Sequence, residues 1–129
     1  MRRIVGLAAI GLASACATPE TVRNSPPRYT LQSKMPVAEM ADCLAYEIGE
    51  RLTEPMSLRS TRRPDDAVAR IVLFVPAMPP IGMIDAEVKA AEGGSLVAAR
   101  LPADIPNADR IFSGAMAACD PAAVVAATS

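Results

Sequence analysis

The chain has no histidine and no tryptophan among its 129 residues, and only two tyrosines and two phenylalanines. Without histidine, the commonest general base and the commonest transition-metal ligand are missing. Ser-His-Asp and Cys-His catalysis are therefore excluded. So few aromatic rings leave few platforms on which nucleic-acid bases could stack. The three cysteines, at 16, 43 and 119, stand far apart, so the ligand spacing of a zinc site is missing too. No G-x-x-x-x-G-K-[ST] phosphate loop, G-x-G-x-x-G turn or G-x-S-x-G elbow occurs. An excess of positive charge is also lacking, since 13 basic residues face 14 acidic ones. No basic surface stands out, and nucleic acid is not an expected partner. These absences lead us to expect no enzyme, no metal and no cofactor.

What is present begins at the N-terminus. Arg2-Arg3 precedes an apolar run, Ile4 to Leu12, and then Ala13-Ser14-Ala15-Cys16. This nine-residue run has the usual length of a signal-peptide core. It falls short of the about 20 residues that a spanning helix needs. Positive charge at its start keeps that end on the cytoplasmic side.

The segment resembles the leader of bacterial lipoproteins. In that family a cysteine follows two small residues, and leucine commonly stands three places before it. Here Ala13 holds that place, and Leu12 sits one step earlier. The resemblance covers residues 1–18. It implies a signal peptide over 1–15, diacylglycerol on the Cys16 thiol, cleavage before Cys16, and a fatty acyl group such as palmitate on the new amine. The expected first partner is thus a membrane, reached through N-terminal acyl chains. Each buried methylene contributes about 0.8 kcal/mol, and one chain alone binds only marginally. Two or three chains would hold firmly. Ala13-Ser14-Ala15 and Ala15-Cys16-Ala17 also fit the Ala-x-Ala cleavage pattern, which would release a soluble periplasmic protein.

Residues 17–27 (ATPETVRNSPP) hold three prolines and several short polar residues. With Cys16 they read as an anchor and an extended, mobile tether, 16–27. Enough chain remains for one domain, expected over 28–120, with a loose tail over 121–129. Without Arg2 and Arg3, eleven basic residues face fourteen acidic ones. In an oxidising envelope the remaining pair, Cys43 and Cys119, reads as a disulfide, the alternative being two separate buried thiols.

Arg28 to Ser33 alternates as a half-buried strand. Pro36 suits a first helical position, and Val37, Met40, Ala41, Leu44, Ile48 and Leu52 make one apolar stripe behind it. Pro55 predicts an end by Thr53. Cys43 lies round from the stripe's centre, at its flank. Met56 to Thr61 reads as a weak strand, turned back by Arg63-Pro64-Asp65-Asp66. Arg70 to Val75 is a nearly continuous apolar run, read as a central strand covered on both faces, the alternative being a buried helix fragment. Ile84, Ala86, Val88 and Ala90 alternate with Asp85, Glu87 and Lys89, and Gly93-Gly94 reads as the two-residue turn of a hairpin. Counting outward from that turn predicts Val88 opposite Ala99 and Glu87 opposite Arg100. Asn107 is read as the cap of a second helix, with Asp109 in its first turn, and Pro121 as its stop.

Other groups have plain readings. Asp65-Asp66 is a solvated turn rather than a calcium ladder. Arg59, Arg62 and Arg63 form a small basic cluster that could meet phosphates or an acidic partner, though a solvated turn is the simpler reading. Met78-Pro79-Pro80-Ile81-Gly82-Met83 is a stiff apolar loop, read first as packing on the domain's own core and second as a docking ridge. Met35, Met40, Met56 and Met116 read as gap fillers. Asp85 and Glu87 are the carboxylates an enzyme would use, but they fall on the expected solvent face.

The fold expected is α+β, with two helices on one face of a four- to five-stranded, mostly antiparallel sheet. The function expected is an exported, lipid-anchored envelope protein facing the periplasm, acting as a non-enzymatic docking module for another envelope protein. A periplasmic binder of a small apolar or lipid ligand is the alternative.

Overall fold

Helical periodicity and strand alternation build this molecule from opposite sides of one core. The computed structural model describes residues 17–63 and 67–128. Cys16, the leader, and Pro64, Asp65 and Asp66 of the expected turn lie outside the described residues. The elements run α1 (Pro19–Arg23), β1 (Tyr29–Ser33), α2 (Val37–Glu50), β2 (Ser57–Arg62), β3 (Val68–Val75), β4 (Ile81–Ala91), β5 (Gly94–Arg100), α3 (Pro106–Cys119) and α4 (Pro121–Thr128). The fold is α+β, with one open sheet in the order β1-β5-β4-β3-β2 and every pairing antiparallel.

Val37, Met40, Ala41, Leu44 and Ile48 recur every three or four residues on α2, and all are buried. On α3 the buried set is Ala108, Ile111, Phe112, Ala115 and Met116. Both stripes join Ile71, Leu73, Ile84, Ala86, Val88, Val97 and Ala99 of the sheet in one hydrophobic core. Burying each Leu, Ile or Phe contributes about 1.5–3 kcal/mol, whereas the many alanines contribute little. Few large side chains therefore carry most of the apolar stabilisation. The Cys43 and Cys119 sulfurs are bonded, with 5.9 Å between the Cα atoms, and tie the flank of α2 to the end of α3.

The β4–β5 hairpin corrects the expected register by two residues. Val88 lies opposite Val97, Glu87 opposite Ala98, and Asp85 opposite Arg100. The turn is Glu92-Gly93, and Gly94 already belongs to β5. Gly93 has φ 79°, which favours glycine. Gly94 is needed for another reason: a Cβ there would come within 2.0 Å of the Ser33 carbonyl oxygen on β1. A two-residue shift preserves every residue's face, so the expected inward set holds although its partners change.

Three further expectations change. Residues 19–23 of the expected tether form a helix. Thr18 caps it, accepting from the Thr21 N–H at 3.2 Å, Pro19 opens it, and Val22 is buried. Pro121 begins α4 rather than merely ending α3, so the C-terminal residues are not a loose tail as far as Thr128. Asp120 accepts from the Ala123 N–H at 3.2 Å and from the Ser33 hydroxyl at 2.5 Å, capping α4 and fixing it beside β1. Asn107 lies within α3, which Ile105 precedes. No helix among the described residues is long and apolar enough to cross a membrane.

Candidate functional site

Helices α2 and α3 cover one face of the sheet. The other carries Arg59 on β2, Arg70, Val72 and Phe74 on β3, Asp85, Glu87 and Lys89 on β4, and Ala98 and Arg100 on β5. Strand alternation puts them there, because their neighbours Ile71, Leu73, Ala86, Val88, Val97 and Ala99 point into the core. Register then lines up Arg100, Asp85, Val72 and Arg59 straight across four strands.

Asp85 is the centre of this face and is only 1% exposed. Its carboxylate accepts from Arg70 Nη1 and from Arg23 Nε, the latter at 3.3 Å. Arg70 is a fork: its Nη2 donates to Glu87 Oε2 at 3.0 Å. Lys89 Nζ lies 3.8 Å from the other Glu87 oxygen. Arg100 Nε donates to the Ser25 carbonyl at 2.9 Å, holding the chain that follows α1. Arg59 stacks over the Phe74 ring, 5.2 Å from its centroid, a cation–π contact. Five basic side chains thus surround two carboxylates, in a chain whose formal charge is −1. The acidic excess lies elsewhere, with Glu39, Asp42, Glu47 and Glu50 on α2.

Asp85 departs from its expected solvent exposure because α1 folds over it. A buried carboxylate is stable only when paired, and removing one partner strands the others. Arg70 and Arg23 both reach water, which reduces the loss. Asp85→Ala should therefore destabilise the domain by about 2–3 kcal/mol, below the 3–5 of a fully enclosed pair. Glu87→Ala, with Arg70 still held by Asp85, should cost about 1 kcal/mol or less. Urea unfolding of the two variants checks this order.

The expected basic cluster is dispersed. Arg59 faces the outer side, while Arg62 pairs with Asp42 of α2 at 3.4 Å on the helix side. The Arg63 N–H donates to the Val68 carbonyl at 3.1 Å. Residues three apart on a strand fall on opposite faces. Nothing in the sequence suggested that α1 would deliver Arg23 to Asp85, because that partner comes from a segment read as tether.

One end of the sheet has a different character. Two apolar grooves, of about 510 and 400 Å³, meet there around Ala17 and Asp104. The larger is lined by Val22, Pro26, Leu101 and Pro102, and the smaller by the 77–81 loop. Gly82 and Met83 of that loop's end are buried, as the packing reading expects, but Met78 is 97% and Ile81 42% exposed. Among the described residues no cluster of three or more acids or cysteines could hold a metal ion.

No protein-family model, no curated protein and no solved structure matches this chain.

Proposed function

We propose that this chain is an exported, lipid-anchored envelope protein that works as a non-enzymatic docking module, with an acidic protein surface as its partner. The observation that supports this most is the outer face of the sheet. Among the helices only α1 crosses it, it groups Arg23, Arg59, Arg70, Lys89 and Arg100, and its two carboxylates are engaged internally. Such a face attracts acidic partners, and charge complementarity sets partner choice and encounter rate more than raw affinity. The anchor rests on the leader and Cys16, and the tie between Cys43 and Cys119 fits a protein that works in an oxidising compartment.

The test combines processing with capture. Intact mass of the membrane fraction should show cleavage before Cys16 and added acyl mass, and Cys16→Ala should move the protein to the soluble fraction. Crosslinking in intact cells should return one dominant envelope protein. Arg59→Glu with Lys89→Glu, both exposed, should lower its recovery by roughly tenfold without unfolding the domain. Unchanged recovery would remove the outer face from the reading.

The groove of about 510 Å³ supports a second reading, a binder of a small apolar ligand. It is large enough for one, since such sites begin at about 300 Å³. It lies beside α1 rather than between helices and sheet. Saturable uptake of a fluorescent fatty acid, abolished by Val22→Glu, would favour it.

A further inference from the structure

Resting on the lipid-anchor reading, we infer that the 77–81 loop is a membrane-contacting tip, with the Met78 and Ile81 side chains entering the apolar boundary of the bilayer that holds the Cys16 acyl chains. Three independent features converge on this loop.

The first is exposure. The described residues contain three exposed large hydrophobic side chains, Tyr46, Met78 and Ile81, and two of them stand three residues apart here. From Pro76 to Ile84 no residue carries a charge.

The second is backbone chemistry. Pro76, Pro79 and Pro80 have no N–H to desolvate. An unsatisfied backbone donor is costly in an apolar medium, so a proline-rich tip suits a lipid boundary better than an ordinary loop.

The third is where the anchor emerges. The Gly82 N–H donates to the Ala17 carbonyl at 2.9 Å, and Pro19 Cα would stand 2.8 Å from a Cβ at position 82. Only a glycine lets the two segments approach so closely. Cys16 is the residue before Ala17, one Cα step of about 3.8 Å away. The acyl chains therefore leave the domain beside Met78 and Ile81. Asp104 lines both grooves, and Arg28 the larger one. Charged side chains stay at headgroup level, so immersion stops at the tip.

The geometry supplies its own control. β4 is eleven residues long, and its other end meets the Glu92-Gly93 turn, about 33 Å from the tip. Full-length protein would be purified from membranes as Met78→Cys or Glu92→Cys. Each new thiol would be labelled with an environment-sensitive fluorophore, Cys43 and Cys119 being bonded to each other, and where the mass shows no acyl group the labelling would be repeated in a Cys16→Ser background. Both would be incorporated into phosphatidylethanolamine–phosphatidylglycerol vesicles whose acyl chains carry bromine. Interfacial elements sit about 5–10 Å into the boundary, so the label at 78 should be quenched at least about threefold more than the label at 92. Equal, weak quenching in protein whose mass shows acylated Cys16 overturns the tip and leaves the anchor standing. Strong quenching at 78 without acyl mass supports the tip and removes the anchor. Neither acyl mass nor quenching removes both.

Discussion

Replacing Cys43 and Cys119 together with alanine is expected to lower the unfolding free energy by about 4 kcal/mol. The bond closes a loop across 76 positions, the span from the flank of α2 to the last residue of α3. Holding the ends of so long a loop together removes much of the unfolded chain's freedom, and the chain-entropy model gives that magnitude. The domain has few large core side chains with which to replace it. Domain stabilities are about 5–15 kcal/mol, so the loss is a large fraction of the whole. Urea titrations of oxidised protein, reduced protein and the double alanine variant provide the measurement. Reduced protein and variant should unfold at the same, lower midpoint, and the oxidised form well above them. A gap below about 1 kcal/mol would show that α2 and α3 are held by packing alone. Thiols stay reduced in the cytosol, so a domain that depends on this bond needs an oxidising compartment to reach full stability.

The long elements were legible because their signals are extended. The α2 stripe from Val37 to Ile48 repeats its spacing over several turns, the apolar run Arg70–Val75 is nearly unbroken over a strand's length, and each forms the element expected. The hairpin was legible in its faces but not its pairing. Period two assigns Ala86 and Val88 inward under either register, whereas Gly94's role depends on Ser33, sixty-one positions away in sequence, and no local pattern reports that. Two short helices were missed for one shared reason. Thr18-Pro19 and Asp120-Pro121 are each a capping side chain followed by proline at the first helical position, a start signal. Read only as helix breakers, the prolines pointed to a tether and a tail.

The candidate site was legible residue by residue but not as a constellation. Asp85 and Glu87 stood out as charged groups on a strand, and Arg59 as one of a basic cluster read as a solvated turn. Their assembly depends on strand order, and β3 lies between β2 and β4, so Arg70 falls within reach of Asp85 and Glu87 together. The burial of Asp85 depends further on α1 crossing the outer face. The apolar loop divides in the same way. Its end, Gly82 and Met83, packs as expected, while Met78 projects, because β4 begins at Ile81 and carries the chain back into the sheet.

The largest single-residue loss is expected at Phe112. It is the largest fully buried side chain, 1% exposed, and it stacks on Tyr29 with ring centroids 5.4 Å apart. Tyr29 in turn donates its hydroxyl to Asp109, one turn earlier on α3. Phe112→Ala should cost about 3–5 kcal/mol, the sum of lost transfer energy and a residual cavity. The upper half of that range is the expected one. Cavities are cheap where neighbours can swing in, and this core is rich in Ala41, Ala69, Ala86, Ala99, Ala108 and Ala115, which have no side-chain torsion to turn. Only flexible residues such as Met40 and Met116 can adapt. Phe112→Leu should cost about 1–2 kcal/mol, since most of the volume remains. Phe74→Ala, on the half-buried outer face, should cost less than Phe112→Ala by at least about 2 kcal/mol. Urea unfolding with unchanged slope would give these differences directly, and near-equal losses at 112 and 74 would mean that the core is not centred where the helices meet the sheet.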